Sequence, residues 1–285
     1  MREFLRLLSN NSVYLPDALC SHVSQISLAR HLMMIATTKI VSEKLSSLSL
    51  LEIGSWLGAS TLAWSHGINR YFPNGGKILC VDPWNQYLDK VEIEQKVKTL
   101  KMDEMARLGL AYECFLHNIS FAPENVSIRH FRGCSENVLP YLTDGSFDII
   151  YIDGDHTYDK FIGDLEEANR LLKPEGIVCG DDLELQSHQV DIDYAILNKD
   201  RDFVKDPNST IAYHPGITLG VRDFFGEVQS YSGFWLMRKT SLGYQKQEIE
   251  KAEMTLPSHI PDHIKNALFK RLVSNKMRHL RKKAL

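Results

Sequence analysis

The chain is poor in cysteine, and its cysteines do not pair by spacing. Among 285 residues stand Cys20, Cys80, Cys114, Cys134 and Cys179. An odd number with no C-x-x-C pair, and no histidine at ligand spacing, argues against a disulfide framework or a zinc finger and predicts reduced thiols. Long apolar runs are missing too. No stretch approaches the roughly 18 apolar residues of a membrane span, and Met1 to Arg6 carry charge where a secretion signal needs an apolar core, so a cytoplasmic location is expected. An excess of either charge is also lacking: 33 basic residues face 36 acidic ones, for a net charge of −3. Nothing global therefore points to nucleic acid. No repeat or low-complexity stretch occurs. With 44% hydrophobic and 24% charged residues, the composition predicts one large α/β domain with additions.

Helical spacing of apolar residues from Ser21 to Leu45 predicts a packing helix ahead of the first strand. Strands are expected at Leu48–Ile53, Lys77–Val81, Val126–Phe131, Phe147–Ile152, Gly176–Cys179 and Gly233–Arg238. Helices are expected at Ala59–Tyr71, Glu92–Asn118, Ser135–Leu142, Tyr158–Leu172 and within Ser187–Phe203 and Thr218–Val228. This alternation predicts a doubly wound, mostly parallel, Rossmann-like sheet. Asn85 to Pro123 exceeds an ordinary connection and reads as an insertion covering the active site. The expected division is a helical region over residues 1–47, the α/β domain over 48–240 and a basic helical extension over 241–285. From Lys265 to Leu285 there are eight Lys or Arg and no acid, a solvated helix, an oligomer contact or a face for an anionic surface. His259 and His263 are four apart, but Pro261 between them breaks a regular helix, so both are expected at the surface.

Two aspartate signatures carry the chemistry. Tyr151-Ile152-Asp153-Gly154-Asp155-His156 follows one short β-branched run, and Cys179-Gly180-Asp181-Asp182 follows the next. Adjacent parallel strands lie about 4.8 Å apart, so carboxylates at their C-terminal ends converge where open α/β sheets bind ligands. Crowded carboxylates repel unless a cation or shared protons relieve them. An all-oxygen set favours Mg²⁺, Mn²⁺ or Ca²⁺ over zinc or copper.

The first strand ends in Glu52-Ile53-Gly54-Ser55-Trp56-Leu57-Gly58-Ala59-Ser60-Thr61. Its spacing is G-x-x-x-G, and Trp56 fills the place where a dinucleotide fold has the glycine that admits a pyrophosphate. A cofactor without phosphate fits better, and Glu52 suits one carrying an ammonium group. At the end of the second strand Asp82 is placed to accept from ribose hydroxyls, with Trp84 able to cover an adenine face.

From Leu48 to about Arg238 the chain resembles class I S-adenosylmethionine-dependent methyltransferases, most of all the metal-dependent O-methyltransferases related to macrocin O-methyltransferase and to cephalosporin-hydroxylase-type proteins. The resemblance rests on E-x-G-x-x-x-G-x-S from Glu52 to Ser60, on D-G-D-H-x-Y from Asp153 to Tyr158, and on Gly180-Asp181-Asp182. It implies a seven-stranded sheet with an antiparallel strand near Gly233 to Arg238. It also implies that Glu52, Gly54, Gly58 and Ser60, with Ser55 and Thr61 of the same turn, hold the methionine part, Asp82 the ribose, and Ser135 with Glu136 the adenine edge. Asp153 would touch the cofactor and join Asp181 and Asp182 as a ligand of Mg²⁺ or another hard cation. Related catechol O-methyltransferases have an asparagine as third ligand and a lysine three residues after the first aspartate, where this chain has Asp182 and His156.

The expected reaction is methyl transfer to a hydroxyl of a sugar, polyol or natural-product glycoside. A bound Mg²⁺ would lower the pKa of the hydroxyl, and His156, or failing it Asp155, would take the proton. Tyr213, His214 and Thr218 are expected to line the acceptor pocket. A catechol-like acceptor, a different metal-dependent modification and a non-catalytic cofactor-binding protein are the alternatives, while the crowded Trp56 position argues against a nicotinamide oxidoreductase. The expected partners are a small hydroxylated acceptor and a second copy of the chain.

Overall fold

The computed structural model describes residues 28–85, 105–249, 257, 259 and 260. The first 27 residues, 86–104 and the basic segment from Lys265 onward lie outside the described residues, and with them Cys20, His263 and the start of the predicted Glu92–Asn118 helix.

Helix α1 (Leu28–Ser42) precedes β1 (Leu48–Ile53), α2 (Ala59–Tyr71), β2 (Gly76–Asp82), α3 (Leu110–Ile119), β3 (Val126–Arg132), the short α4 (Ser135–Val138), β4 (Phe147–Ile152), α5 (Tyr158–Leu171) and β5 (Leu172–Leu183). After β5 come α6 (Ile192–Leu197), the two-residue strands β6 (Val204–Lys205) and β7 (Ala212–Tyr213), α7 (Pro215–Phe225), β8 (Gln229–Tyr231), β9 (Gly233–Thr240) and β10 (Gly243–Lys246). The hydrogen-bonded path runs β10-β9-β5-β4-β1-β2-β3, with β8 also paired to β9. Strands β1 to β5 are parallel and β9 runs antiparallel beside β5. The sheet has eight strands, one more than expected, and its antiparallel strand over Gly233 to Arg238 agrees with expectation. Strands β8 and β10 are additions too short and polar to have been read from alternation.

Alternation of side chains across the sheet sorts the core into two layers. Leu48, Leu50, Ile149, Tyr151 and Ile177 meet Met34, Trp64, Ile68 and Phe115 of α1, α2 and α3 on one face. Leu51, Ile53, Ile150, Ile152 and Val178 meet Phe161, Leu165, Leu171, Ile217 and Val221 of α5 and α7 on the other. Helices on both faces leave the C-terminal edge of β1, β2, β4 and β5 as the open rim of the domain. A satellite core of Leu185, Ala195, Val204, Tyr213 and Leu219 anchors the 187–213 segment beside that rim. The described part of the expected insertion from Asn85 to Pro123 contributes α3, which packs Ala111, Cys114 and Phe115 into the core.

Candidate functional site

A cavity of about 390 Å³ opens at this rim, within the roughly 300–1,000 Å³ of small-molecule sites. Its walls are the turns after β1, β2 and β4, the start of α4, and Arg30, His31 and Met34 of α1. Of the residues expected at the cofactor, Gly54, Ser55, Ser60, Asp82, Ser135, Glu136 and Asp153 line it, as do Asp155, His156 and Asp181.

The glycine turn is fixed from below. Gly54 has φ +83°, and a β-carbon there would come within 1.9 Å of the Asp153 carbonyl oxygen, so β1 and β4 approach closely only with glycine at this point. Trp56 also takes a left-handed φ, 43°, and lines the cavity. Asp82 organises the turn: Oδ2 accepts from the amides of Ser55 and Trp56 at 2.9 Å each, and Oδ1 from that of Trp84 at 2.6 Å. Burial raises the pKa of Asp82 against the pull of these amides.

Four expected cofactor residues are placed elsewhere. Glu52 shares the strand face of Leu48 and Leu50, so it points beneath α2, fully buried. Its Oε2 accepts from Ser55 Oγ at 2.8 Å and from Thr61 Oγ1, with Cys80 Sγ at 3.4 Å, and burial raises its pKa. Glu52 and Thr61 thus brace the turn from behind. Gly58 starts α2 at φ +83°, facing Phe115. Trp84, fully buried, donates from Nε1 to the Trp56 carbonyl at 2.6 Å and packs against Phe115 and Tyr112. It is a core residue, and no adenine can reach its face. At the other wall Glu136 pairs with Lys160, and Ser135 hydrogen-bonds Asp164, whose carboxyl burial pushes up to about 7.

The second half of the site gathers at the ends of β4 and β5. Residues 181 and 182 are neighbours on one strand and would alternate in direction, but β5 shifts register against β9 between Gly180 and Leu183, and Asp182 takes φ 60°. This bulge turns both carboxylates toward Arg30. Arg30 Nε lies 2.8 Å from Asp181 Oδ1, Nη1 2.8 Å from Asp182 Oδ1 and Nη2 3.3 Å from Glu184 Oε1. Tyr151 donates its hydroxyl to Asp153 Oδ2 at 3.0 Å, with Asp181 Oδ2 at 3.5 Å. Burial, then Asp181 and Asp182, hold the Asp153 carboxyl well above the usual range; burial, then Asp182, push Asp181 to about 7. In Asp182 burial is outweighed by His214, His156 and Arg30, and its pKa is lowered.

These contacts revise the expected metal site. A protein cation, Arg30, engages the Oδ1 atoms of Asp181 and Asp182, and Tyr151 donates to Asp153 Oδ2, so each of the three aspartates expected to hold Mg²⁺ already has one oxygen engaged by the protein. Among the described residues, the group with one ligand atom each within 4.8 Å is His156, Asp182 and His214.

The expected proton acceptors and acceptor-pocket residues change as well. His156 Nδ1 lies 2.8 Å from Asp202 Oδ1 and Nε2 3.2 Å from Asp182 Oδ2. Burial of His156 is outweighed by Asp202, Asp182 and Asp153, which raise its pKa to about 10. An imidazole held protonated in this way is not a free base. Asp155 spends Oδ1 on the amide and hydroxyl of Thr157 at the start of α5. Tyr213 and Thr218 are core residues, the latter donating to the Leu185 carbonyl at 2.8 Å. His214 instead faces His156, ring centroids 4.6 Å apart, with Nδ1 3.0 Å from Glu184. His259, expected at the surface, is partly buried with its ring 5.9 Å from that of His31. Arg30, Asp202 and Glu184 carried no motif and were legible only in three dimensions, while Tyr151 stood in the first aspartate signature without an assigned role.

Residues 51–183 match the family model described as a methyltransferase domain. The matched region is the α/β core from β1 to β5, in the order 3-2-1-4-5 with β9 antiparallel beside β5. Similar solved structures include an O-methyltransferase from Bacillus cereus in complex with SAH (17% identity, 85% of this chain and 86% of that one, TM-score 0.40). Another is TomG from Streptomyces achromogenes, an O-methyltransferase of tomaymycin synthesis in complex with SAM (14%, 85% and 92%, TM-score 0.39). A third is a TDP-rhamnose 3′-O-methyltransferase of calicheamicin biosynthesis (15%, 83% and 91%, TM-score 0.39). No curated protein matches the chain. Among the described residues no helix is long and apolar enough to cross a membrane.

Proposed function

We propose that the protein transfers a methyl group from S-adenosylmethionine to a hydroxyl oxygen of a small molecule, of the sugar, polyol or glycoside class. The observation that supports this most is the continuity of one cavity: the braced glycine turn, Asp82, Ser135 and Glu136 form one wall, and Tyr151, Asp153 and Asp181 another. The first set fits the cofactor. The turn leaves the N-terminal amides of the 13-residue α2 for a carboxylate, and Ser135 and Glu136 offer polar atoms to an adenine edge.

When bound, S-adenosylmethionine supplies an electrophilic methyl group, and the protein's part is to align an oxygen behind it. An aliphatic hydroxyl must lose its proton as the bond forms. Asp153, on the cavity wall and oriented by the Tyr151 hydroxyl at 3.0 Å, is the carboxylate placed to take it when ionised. A divalent cation beside this wall belongs to the same proposal, but no proton step is routed through it, because Arg30 and Tyr151 engage the aspartates expected to hold it.

Calorimetry with S-adenosylmethionine and NAD, followed by mass spectrometry of glycosides and catechols incubated with S-adenosylmethionine, tests the reading. Saturable binding of S-adenosylmethionine alone and methylation of a glycoside hydroxyl are expected. Asp153→Asn should lower turnover by about 10²–10⁴-fold. Binding of NAD alone would overturn the cofactor assignment, and methylation of catechols alone the acceptor class.

A further inference from the structure

We propose that His156, Asp182 and His214 form a mixed nitrogen and oxygen site for one divalent transition-metal ion. Their ligand atoms lie within 4.8 Å of one another, close to the span of two metal–ligand bonds of about 2.0–2.2 Å each. The three come from separate elements: the turn after β4, the bulge of β5 and the residue before α7. An ion there would tie the start of α7 to the rim of the sheet.

The surroundings of both rings carry the argument. Asp202 Oδ1 lies 2.8 Å from His156 Nδ1, and Glu184 Oε2 lies 3.0 Å from His214 Nδ1. Metal-ligating histidines have one ring nitrogen held by a carboxylate in this way; the other nitrogen of His214, Nε2, lies 3.8 Å from Asp202 Oδ1. On the inner side His156 Nε2 is buried without a hydrogen-bond partner, yet it faces Asp182 Oδ2 at 3.2 Å. A nitrogen lone pair and a carboxylate oxygen repel at that distance unless a cation lies between them, whether a proton or a metal ion. Arg30 engages the other oxygen, Oδ1, which leaves Oδ2 as the ligand atom.

The donor set selects the ion. Two imidazoles and one carboxylate suit Mn²⁺, Fe²⁺, Co²⁺ or Zn²⁺, whereas Mg²⁺ and Ca²⁺ prefer oxygen throughout. The inference rests on the proposed function only in placing the ion beside the cofactor cavity; ion binding itself needs neither cofactor nor acceptor.

The test is a titration of the untagged, chelator-stripped full chain with Co²⁺ alone, followed by calorimetry and visible absorption. One equivalent should bind with ligand-field bands of a nitrogen-containing site, and Mg²⁺ should not displace it at equal concentration. His214→Gln and Asp182→Asn should each weaken Co²⁺ binding by at least about 10–100-fold, the loss that even an outer partner causes, and Asp202→Asn by about tenfold. His188→Gln, at an exposed histidine outside the cluster, should change nothing. Thermal unfolding of each stripped variant checks that it folds, and Asp202→Asn stands in for any ligand variant that does not. Absence of Co²⁺ binding, binding indifferent to these substitutions, or Mg²⁺ binding of equal strength that depends on Asp153 would each overturn the site. A protein that binds Co²⁺ as described but transfers no methyl group would refute the proposed function and leave the site standing.

Discussion

Arg30 Nη1 lies 2.8 Å from Asp182 Oδ1, a contact between the first described helix and the far end of β5. Through Nε the same side chain lies 2.8 Å from Asp181 Oδ1. The cation that the clustered aspartates require is therefore supplied in part by the chain itself.

Replacing Arg30 by methionine should leave two buried carboxylates without their counter-ion. Breaking a buried ion pair costs about 3–5 kcal/mol, and the side chain is 21% exposed, so a loss of roughly 2–3 kcal/mol is expected after solvent screening. Urea unfolding of Arg30→Met beside the parent measures it, and added divalent ion should restore part of the loss. Stability equal to the parent would mean that the aspartates are already relieved by protonation.

Asp82 should matter through the turn it holds. In Asp82→Ala the amides of Ser55, Trp56 and Trp84 lose their acceptor, at about 1–3 kcal/mol for each donor left buried and unpaired. Both the melting temperature and the affinity for S-adenosylmethionine should fall together, the latter read by calorimetry. Asp82→Asn, which keeps an acceptor oxygen, should lose less of each. If Asp82→Ala lost affinity with an unchanged melting temperature, Asp82 would act on the cofactor alone.

Asp164 should make stability fall as pH rises. Its folded pKa, about 7, stands above the unfolded value near 3.9, so between these limits the folded state holds a proton that the unfolded state has released. Stability therefore declines from about pH 4 to pH 7 and stays lower above it, by an amount on the order of 4 kcal/mol at most. Asp164→Asn should show no such decline and should exceed the parent most at pH 8. Buried His31, lowered to about 4, acts in the opposite direction in acid, so the difference between variant and parent across pH isolates Asp164. A constant difference from pH 4 to pH 8 would refute the assignment.

Much of the fold was legible because local rules and tertiary packing agree. The apolar run Leu48–Ile53, the isoleucine-rich run Phe147–Ile152 and the helix Ala59–Tyr71 have the bounds their patterns predicted, since each is buried along its whole length or on one continuous stripe. Agreement fails where direction decides. Strand parity placed Glu52 with Leu48 and Leu50, beneath a helix, although its position in the motif suggested the cofactor. Trp84 next to Asp82 read as a ring for adenine, but the aromatic cluster with Phe115 and Tyr112 buries it completely.

The sequence by itself determined the alternation of strands and helices, the glycine turn and the presence of carboxylates at two neighbouring strand ends, because each depends on residues close together in the chain. Only the tertiary structure decided what those carboxylates face. The bulge at Asp181 and Asp182 overrides the alternation of a regular strand, Arg30 reaches them from more than 150 residues away, and His214 meets His156 because α7 packs against α5. Such contacts depend on the direction of side chains across the closed fold, and no spacing along the chain encodes that direction.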